Sequence, residues 1–363
     1  MRNLYLYLFS CITFLYLPIA SSAQTQPIRG VWVTNVASEA LRSEANIQGV
    51  VDQCVRHGVN TICMVVWNAG KTMYPSAVTE KYIGLRQDTT YRGFDPLKTM
   101  IDRAHAAGLK VYAWFEYGFA YAYKDSNTVW LKKYPHWAGR NVNGHLLQKN
   151  GFYWWNALHP GVQGMMTELV TEVVRNYAVD GVQGDDRLPA MPSEGGYDET
   201  TINAWKAEHN GAAPPAFAQD SAWRQWKADR LSAYGRSLYT AVKSIRPTCK
   251  VSWAPSIYPW ALENYLQDWP AWLKGGYADD IMPQLYRYDI KAYEKILKEL
   301  QAQVPENSRQ MVFPGMLTSL GNGYRVKEDM LREMIRLNRQ YGFQGECLFY
   351  YESLPDLKTP IYR

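Results

Sequence analysis

The sequence predicts an α/β fold, a (β/α)8 TIM barrel with long strand-to-helix loops over the C-terminal face of the barrel. Two observations support this prediction. Strand-like runs alternate with amphipathic helical segments, and the connections between them fall into a short set and a long set. No Ser- or Gly-rich linker divides the chain. We therefore expect a single domain over residues 24–363, preceded by a signal peptide over residues 1–23.

The predicted strands are short runs rich in apolar, aromatic and β-branched residues. In chain order they lie at Gly30–Asn35, Thr61–Trp67, Lys110–Tyr117, Gly181–Asp185, Lys250–Ser256, Asp280–Tyr286, Met311–Leu317 and Glu346–Tyr351. The segment after the first strand spaces its apolar residues as an amphipathic helix does. These residues are Ile47, Val50, Val51, Cys54 and Val55.

Later helices are indicated by their ends or by an apolar stripe. The helix before the third strand begins at the N-cap Asp95 with Pro96 in its first turn, and Gly108 closes it. The stripe of the helix before the last strand consists of Met330, Met334, Leu337 and Tyr341. The last strand lies close to the C-terminus, so we expect the eighth helix to be short or absent.

Connections that enter the strands are tight, whereas three connections that leave them are long. The tight ones cover residues 57–60, 107–109, 179–180 and 246–248. The long ones follow the second, third and fourth strands, at Asn68–Phe94, Gly118–Pro160 and Arg187–Asp220. A barrel that lengthens only one set of loops builds a site at the C-terminal ends of its strands. We therefore expect a cleft over this side of the barrel.

The N-terminus has the pattern of a removable secretion signal. Arg2 gives the positive n-region, Leu4–Ala20 the apolar stretch, and Ser21-Ser22-Ala23 a small-residue cleavage site. We therefore expect an exported protein that is periplasmic or extracellular. No later segment is apolar for long enough to cross a bilayer, so no stable membrane insertion is expected.

Composition narrows the choice of partners and cofactors. The formal charge of +5 comes without any Lys/Arg cluster, which argues against a nucleic-acid partner. Four cysteines follow the signal, and all lie in predicted regular elements, so buried free thiols are favoured over disulfides. They are Cys54, Cys63, Cys249 and Cys347. No Cys/His spacing matches a zinc site, and neither a metal nor another cofactor is expected.

Strand alternation separates the side chains that face the barrel axis from those that face the helices. Three strands send polar groups inward near their C-terminal ends. The inward sets are Tyr112, Trp114 and Glu116 on the third strand, Gln183 and Asp185 on the fourth, and Met282, Gln284 and Tyr286 on the sixth. A polar group buried there without partners would cost about 2–7 kcal/mol, so a ligand site is the simplest explanation.

The third and fourth strands are neighbours, which predicts a carboxyl pair. Glu116 and Asp185 would lie about 5–6 Å apart, close to the spacing in retaining glycosidases. Glu116 has aromatic neighbours that favour a neutral general acid/base. Asp185 lies near Gln183 and Arg187, which favour an anion acting as nucleophile or transition-state stabiliser. Asp186 remains an alternative for the main acid, since the strand can end before it.

Aromatic residues are abundant, with 14 Trp and 27 Tyr, and many of them fall in the third strand-to-helix loop. Flat rings in a sugar-binding cleft contact the apolar faces of pyranoses, although packing explains most rings in such a loop. The predicted substrate-binding residues are Trp32, Asn35, Trp67, Trp114, Tyr117, Trp154, Trp155, Gln183, Gln284, Tyr286, Arg287, Tyr351 and Glu352.

Four segments together resemble the glycosyl hydrolase-like 10 family of exported bacterial proteins. They are Arg29–Thr34, Ala113–Phe115, Asp180–Asp186 and Pro283–Tyr286, and Phe313–Leu317 agrees with them. The resemblance covers nearly all of residues 24–363. It implies a (β/α)8 glycoside hydrolase with a glycan substrate, and some family members resemble envelope hydrolases that cut peptidoglycan glycan strands stripped of stem peptides.

The family's acid pair on the fourth strand carries over to Asp185 and Asp186. The family often has Asn after Ala-Trp-Phe, whereas this chain has Glu116. Either this protein uses an additional carboxylate or the acid lies elsewhere, with Glu352 as the alternative. Family 18 chitinases, by contrast, carry an acidic motif on the fourth strand. In this chain Gln183 replaces the first inner Asp of that motif, and Arg187 stands where its catalytic Glu should be. That substrate-assisted mechanism is therefore not expected.

Two other functional classes remain open. A catalytically inactive carbohydrate-binding barrel would share the fold, the aromatic residues and part of the acid pattern. A polysaccharide lyase is less consistent with a carboxyl pair. Lyase cleavage leaves an unsaturated product that absorbs in the ultraviolet, which hydrolysis does not.

Overall fold

The computed structural model describes residues 26–362, so the predicted signal peptide at residues 1–23 lies outside the described residues. Eight parallel strands form one sheet. In chain order the strands are Arg29–Val33, Thr61–Val65, Lys110–Phe115, Gly181–Gly184, Lys250–Trp253, Asp280–Ile281, Gly315–Leu317 and Glu346–Phe349. All eight predicted strands are confirmed, although regular pairing ends one to five residues earlier than predicted at most C-terminal ends.

The sheet curls and closes on itself. The first strand pairs with both the second and the eighth, and the order continues from the second to the sixth along one side. Bridges between Ile281 and Val312, and between Gln284 and Gly315, join the segments of the sixth and seventh strands. The Leu285 N–H donates to the Gly315 carbonyl oxygen at 2.9 Å across this seam. The fold is the (β/α)8 barrel that the sequence predicts.

Helices surround the barrel. They are α1 Glu44–His57, α2 Ala77–Ile83, α3 Pro96–Ala106, α4 Val129–Lys133, α5 Pro160–Asn176, α6 Glu199–Glu208, α7 Ser221–Ile245, α8 Trp260–Tyr265, α9 Trp269–Lys274, α10 Ile290–Gln303 and α11 Glu328–Gln340. Side-chain oxygens of Ser43, Asp95 and Asp220 accept N-cap hydrogen bonds at the starts of α1, α3 and α7. After the eighth strand, the described residues up to 362 contain a short 3-10 turn, Tyr351–Ser353, and no further α-helix.

The barrel interior contains the polar and aromatic side chains that strand alternation places there. The Trp32 indole N–H donates to Gln183 Oε1 at 2.7 Å, and Gln183 Nε2 donates to Ser252 Oγ at 2.9 Å. The rings of Trp32 and Trp114 pack at 6.3 Å, and the Tyr112 hydroxyl donates to Asp280 at 3.2 Å. The floor of the barrel is therefore a packed, hydrogen-bonded layer beneath the C-terminal face.

The four cysteines in the described part of the chain are buried and free, which confirms that prediction. Within residues 26–362, no helix combines the length and the apolar character that a bilayer crossing requires.

The long loops fold into structure of their own. The second loop contains a two-stranded hairpin, Trp67–Asn68 with Lys71–Thr72, and α2. The third contains a small three-stranded sheet of Ala120–Tyr123, Gln148–Lys149 and Phe152–Trp154. The fourth contains α6, a helix that the sequence pattern did not predict. The loops over the barrel are thus built elements able to hold side chains in place.

A buried lysine anchors the fourth loop to the helix that follows it. Lys227 of α7 is fully buried, and its ammonium group donates to the carbonyl oxygens of Ser193 at 2.5 Å and Gly195 at 2.8 Å. Its Nζ also lies 4.7 Å from the centroid of the Trp223 ring. Burial lowers the pKa of Lys227 from its usual 10.5 to about 7, because no carboxylate contacts the ammonium group.

This lowered pKa predicts a pH-dependent contribution to stability. Between pH 7 and 10.5 the unfolded chain binds more protons at Lys227 than the folded chain, so the free energy of unfolding rises with pH across that window. Lys227→Met should remove this contribution. The melting temperature of the variant minus that of the wild type should therefore be higher at pH 7 than at pH 9.5, measured by circular dichroism. Lys132→Met, at an exposed position on α4, is the control. An equal difference at both pH values would contradict the prediction.

Candidate active site

The third and fourth strands end side by side at the C-terminal face of the barrel. Phe115 lies opposite Gly184 in the parallel register between these strands. The next residues, Glu116 and Asp185, therefore emerge together above the packed interior. This arrangement follows from the register alone, since neighbouring strands lie about 4.8 Å apart.

Three carboxyl groups surround one guanidinium group at this point, and we refer to Glu116, Asp185 and Asp186 as the acid cluster. Arg187 Nη2 lies 3.0 Å from Asp185 Oδ2 and 3.8 Å from Glu116 Oε1. Arg187 Nη1 lies 3.0 Å from Asp186 Oδ1. A single cation thus contacts all three acids.

Arg187 is held by the third loop. Its Nε donates to the Glu116 carbonyl oxygen at 2.9 Å, and its guanidinium carbon lies 4.8 Å from the centroid of the Phe152 ring and 5.5 Å from that of Tyr117. Contacts with both the backbone and two aromatic rings restrict the rotamers of this long side chain. The cation is therefore fixed relative to the acid cluster.

The backbone of the third loop lies directly against that of Arg187. Gly118 has a φ of +47°, and a β-carbon at this position would lie 2.1 Å from the Arg187 carbonyl oxygen. The N–H of the next residue, Phe119, donates to the same oxygen at 2.9 Å. Only glycine satisfies both the backbone conformation and the close approach.

Two amide side chains complete the contacts of the acids. Gln284 Nε2 donates to Asp185 Oδ1 at 2.6 Å and to the Ala254 carbonyl oxygen at 3.0 Å. Asn68 Nδ2 donates to Glu116 Oε2 at 2.6 Å. Both oxygens of Asp185 are therefore occupied by donors from the protein.

The shared arginine limits the spacing of two carboxyl groups. Because Asp185 Oδ2 and Glu116 Oε1 both lie close to Arg187 Nη2, these two oxygens are within about 7 Å of each other. Retaining glycosidases space their carboxyl groups by about 5–5.5 Å and inverting ones by about 6.5–9.5 Å, so the bound is compatible with either.

Burial raises the pKa of every acid in the cluster. For Asp185, burial and then the charge of Asp186 raise the pKa well above its ordinary value, against the opposing effect of Arg187. Burial also raises the pKa of Glu116 and of Asp186, and Arg187 opposes both shifts. One guanidinium cannot neutralise three carboxylates, so the cluster favours the protonated form of its carboxyl groups more than water does.

The three acids differ in how accessible they are. The Asp186 side chain is 21% exposed, compared with 13% for Glu116 and 3% for Asp185. Asp186 Oδ1 forms an ion pair with Arg187, but it has no partner with hydrogen-bond geometry among the described residues. Asp186 and Glu116 are thus the acids that a substrate can reach most directly.

The predicted substrate-binding residues fall into several groups. Tyr117, Gln284 and Tyr286 lie beside the acid cluster. Tyr117 packs against Arg187, and Gln284 contacts Asp185. Burial, and then the charge of Asp185, raise the pKa of Tyr286 well above its usual value. Arg287, which is partly exposed, donates to the Tyr286 carbonyl oxygen at 2.7 Å.

Other predicted residues are packed in the interior. Trp32, Trp114 and Gln183 belong to the barrel interior beneath the cluster. Gln183 therefore contacts Trp32, Ser252 and Met282, and the expectation that it favours an anionic Asp185 is wrong.

The structure also places three predicted tryptophans in packing under the third loop. Trp67 stacks on Trp155 at 6.2 Å, and Trp154 packs against Tyr265 at 5.6 Å, with all three tryptophans at most 1% exposed. Their burial leaves no ring face open to a sugar, because the loop folds these side chains downward against the barrel.

A separate cavity lies between the first loop and the end of the eighth strand. It has a volume of about 610 Å³, and the predicted residues Asn35, Tyr351 and Glu352 line it. Glu352 accepts a hydrogen bond from Ser38 Oγ at 2.6 Å and does not belong to the group that contacts Arg187. The acid cluster, and not this cavity, combines raised carboxyl pKa values with acids at strand ends, which makes it the candidate active site.

Comparison with known proteins identifies the family. The family model described as Glycosyl hydrolase-like 10 matches residues 27–330. The chain belongs to this family. Glycosyl hydrolase DigH of Escherichia coli K12 is 26% identical over 333 residues, which cover 76% of this chain and 71% of DigH. Glycosyl hydrolase YngK of Bacillus subtilis 168 is 23% identical over 389 residues, which cover 95% of this chain and 72% of YngK.

Two solved structures illustrate the similarity in fold. The PgaB (BpsB) glycoside hydrolase domain from Bordetella bronchiseptica has a TM-score of 0.67 at 15% identity, covering 91% of this chain and 96% of that domain. The catalytic domain of β-amylase from Paenibacillus polymyxa has a TM-score of 0.63 at 13% identity, covering 90% and 92%. These likenesses support the barrel fold.

Two contacts in this glycosyl hydrolase-like 10 protein were not predicted from the sequence pattern. The sequence indicated that Arg187 lies near Asp185, but not that Arg187 also contacts Glu116 and Asp186. Asn68 begins the long second loop, and nothing in its local sequence indicates that it reaches Glu116. Contacts between residues on different loops depend on how those loops fold.

The raised pKa of Glu116 predicts that the cluster costs stability at neutral pH. Glu116→Gln removes a buried negative charge while keeping an acceptor for Asn68, so the melting temperature should rise at pH 7.5, by about 2 °C or more. Below about pH 4 a glutamate is neutral in both folded and unfolded chains, so the gain should shrink as the pH falls. Thermal unfolding at both pH values measures this. A loss of stability at pH 7.5 would contradict the prediction.

Arg187→Met gives the opposite expectation. Without its single cation, the cluster would keep three buried carboxyl groups that repel each other, and the free energy of unfolding should fall by about 3–5 kcal/mol. Denaturant unfolding at pH 7.5 measures the loss. Arg287→Met, at the partly exposed neighbouring arginine of the sixth-strand loop, is the matched control and should have little effect.

Proposed function

We propose that this protein is a glycoside hydrolase that cleaves a polysaccharide or oligosaccharide by carboxyl acid/base chemistry. The observation that carries the proposal is the acid cluster itself, in which the ends of neighbouring barrel strands bring one buried and two partly exposed carboxyl groups to one guanidinium group. Membership of a glycosyl hydrolase-like family supports the same reaction class. The names of DigH and YngK agree with it.

The contacts favour a division of roles among the acids. Asp186 is the most exposed acid and has a raised pKa. We therefore assign to it the role of the general acid, which protonates the leaving oxygen. Glu116 is the second carboxyl group, and the anomeric configuration of the product will tell whether it attacks the sugar or activates water. Asp185 has both oxygens occupied by Gln284 and Arg187, so it positions Arg187 and does not itself touch the sugar.

Substrate and location belong to the proposal as well. The family resemblance favours peptidoglycan glycan strands stripped of stem peptides. The signal-peptide pattern of residues 1–23 favours export to the periplasm or the cell exterior, where such strands are accessible. A glycan of the cell envelope is therefore the substrate class to test first.

A catalytically inactive carbohydrate-binding barrel is the second candidate. It is favoured by one observation, namely that Arg187 contacts all three acids and so partly neutralises the cluster in the absence of substrate. Such a protein would bind a glycan without releasing products from it.

The test is product release by the purified protein from a panel of glycans, comprising peptidoglycan with and without stem peptides, chitin oligomers, α-glucans and plant polysaccharides. We expect release of reducing ends without ultraviolet-absorbing products, which a lyase would form. Asp186→Asn should lower kcat by at least about 100-fold, and Asp185→Asn by a smaller factor. Activity should also fall as the pH rises through the raised pKa of Asp186.

Glu352→Gln is the matched control, because it alters a carboxyl group on the same barrel face but outside the acid cluster. Its turnover should stay near that of the wild type. A larger loss for Asp185→Asn than for Asp186→Asn would reverse the assigned roles. Binding to one glycan without product release would establish the inactive barrel.

A further inference from the structure

Exposed aromatic side chains are concentrated on the catalytic face of the barrel. Among the described residues, the strongly exposed aromatic rings are Tyr123, Phe217, Trp260 and Tyr288. All four lie on connections that leave the C-terminal ends of strands. Single exposed apolar residues are ordinary, but restriction to one face indicates that this surface has a use for open rings.

Two of these rings end aromatic tracks that begin beside the acid cluster, and a third lies on the connection that follows Tyr286. In the third loop, Tyr117 and Phe152 lie against Arg187, and Phe152 packs at 4.9 Å against Tyr123, which is 47% exposed. The track thus leads outward from the guanidinium group to an open ring within the length of three side chains.

The second track lies on the connection after the fifth strand. Tyr265 is buried, and burial followed by the charge of Asp186 raises its pKa to about 12. Its ring packs at 5.4 Å against Trp260, which is 41% exposed. Asn150 of the third loop donates to the Tyr265 hydroxyl at 2.9 Å and fixes this ring in place.

The third open ring lies on the connection after the sixth strand. Tyr286 stacks on Phe349 at 4.8 Å beside the acids. Two residues further along the chain, Tyr288 is 62% exposed, and its ring packs edge-on at 5.1 Å against Tyr324. The contact with Tyr324 supports the Tyr288 ring, most of which stays open to solvent.

The loops that carry these three open rings span a large part of the barrel mouth. The third and sixth strands are separated by the fourth and fifth, which corresponds to about 14 Å along the barrel wall at the usual strand spacing. This distance is longer than one sugar ring. Ring faces attract the C–H groups of pyranoses through their negative electrostatic potential, so open rings at these positions suit successive sugars of one chain.

We propose that Tyr123, Trp260 and Tyr288 form outlying sugar subsites and that the acid cluster cleaves within long glycan chains. This inference rests on the proposed function, because the subsites extend the same site. It predicts that the protein prefers long glycan chains to short ones.

The test compares peptide-free peptidoglycan glycan strands of more than ten sugars with their disaccharide and tetrasaccharide fragments. Trp260→Ala and Tyr288→Ala should each lower kcat/KM on the long strands by about fivefold or more. The same variants should leave the rate on the short fragments nearly unchanged. Phe217→Ala is the matched control, because Phe217 is 69% exposed and lies on the connection after the fourth strand, outside the ring contacts that lead to the acid cluster. It should affect neither substrate.

Binding measurements separate this inference from the proposed function. Calorimetry with an Asp186→Asn background would report affinity for the same strands without turnover. If the wild type cleaves nothing but binds long strands more tightly than short ones, and Trp260→Ala weakens only the long-strand binding, the hydrolase proposal fails and the subsites stand. Equal losses on long and short fragments, no loss from either variant, or no binding of strands of any length would overturn the inference.

Discussion

The site depends on one electrostatic constraint, that a single guanidinium group faces three carboxyl groups, all of them mostly withdrawn from solvent. Arg187 cannot compensate all three charges, so the pKa values of the acids stay raised even before any substrate arrives. Acid/base catalysis needs such a mixture of protonated and ionised groups. The arginine also sets the geometry, because each acid takes its position from a contact with the same rigid fork.

The rest of the structure holds Arg187 and the acid cluster in position. The packed interior around Trp32 and Gln183 supports the strand ends from below. Lys149 pairs with Glu194 at 2.9 Å and thereby joins the third loop to the fourth, while Lys227 joins the fourth loop to α7. The acids thus lie on strand ends whose covering loops are tied to the scaffold and to each other, as a preorganised site requires.

The sequence allowed the barrel and the position of its acids to be predicted, because both follow from local periodicity. Alternation along a strand determines that Glu116 and Asp185 face inward, and strand adjacency determines that they meet. Contacts that depend on loop conformation could not be predicted in the same way. Trp155 was a reasonable sugar contact in a surface loop, but it stacks on Trp67. Arg187 became central only because the third loop supplies its aromatic and carbonyl partners.

Gly118 has a consequence for how this barrel can change over evolution. In many (β/α)8 enzymes each strand-to-helix loop varies independently of its neighbours. Here the backbone at Gly118 lies so close to that of Arg187 that the third loop and the end of the fourth strand fit only each other. We therefore expect the two segments to change together during evolution. A loop transplanted from a relative would need to bring both partners, and a recombination point placed between them would separate the arginine from the surface that orients it.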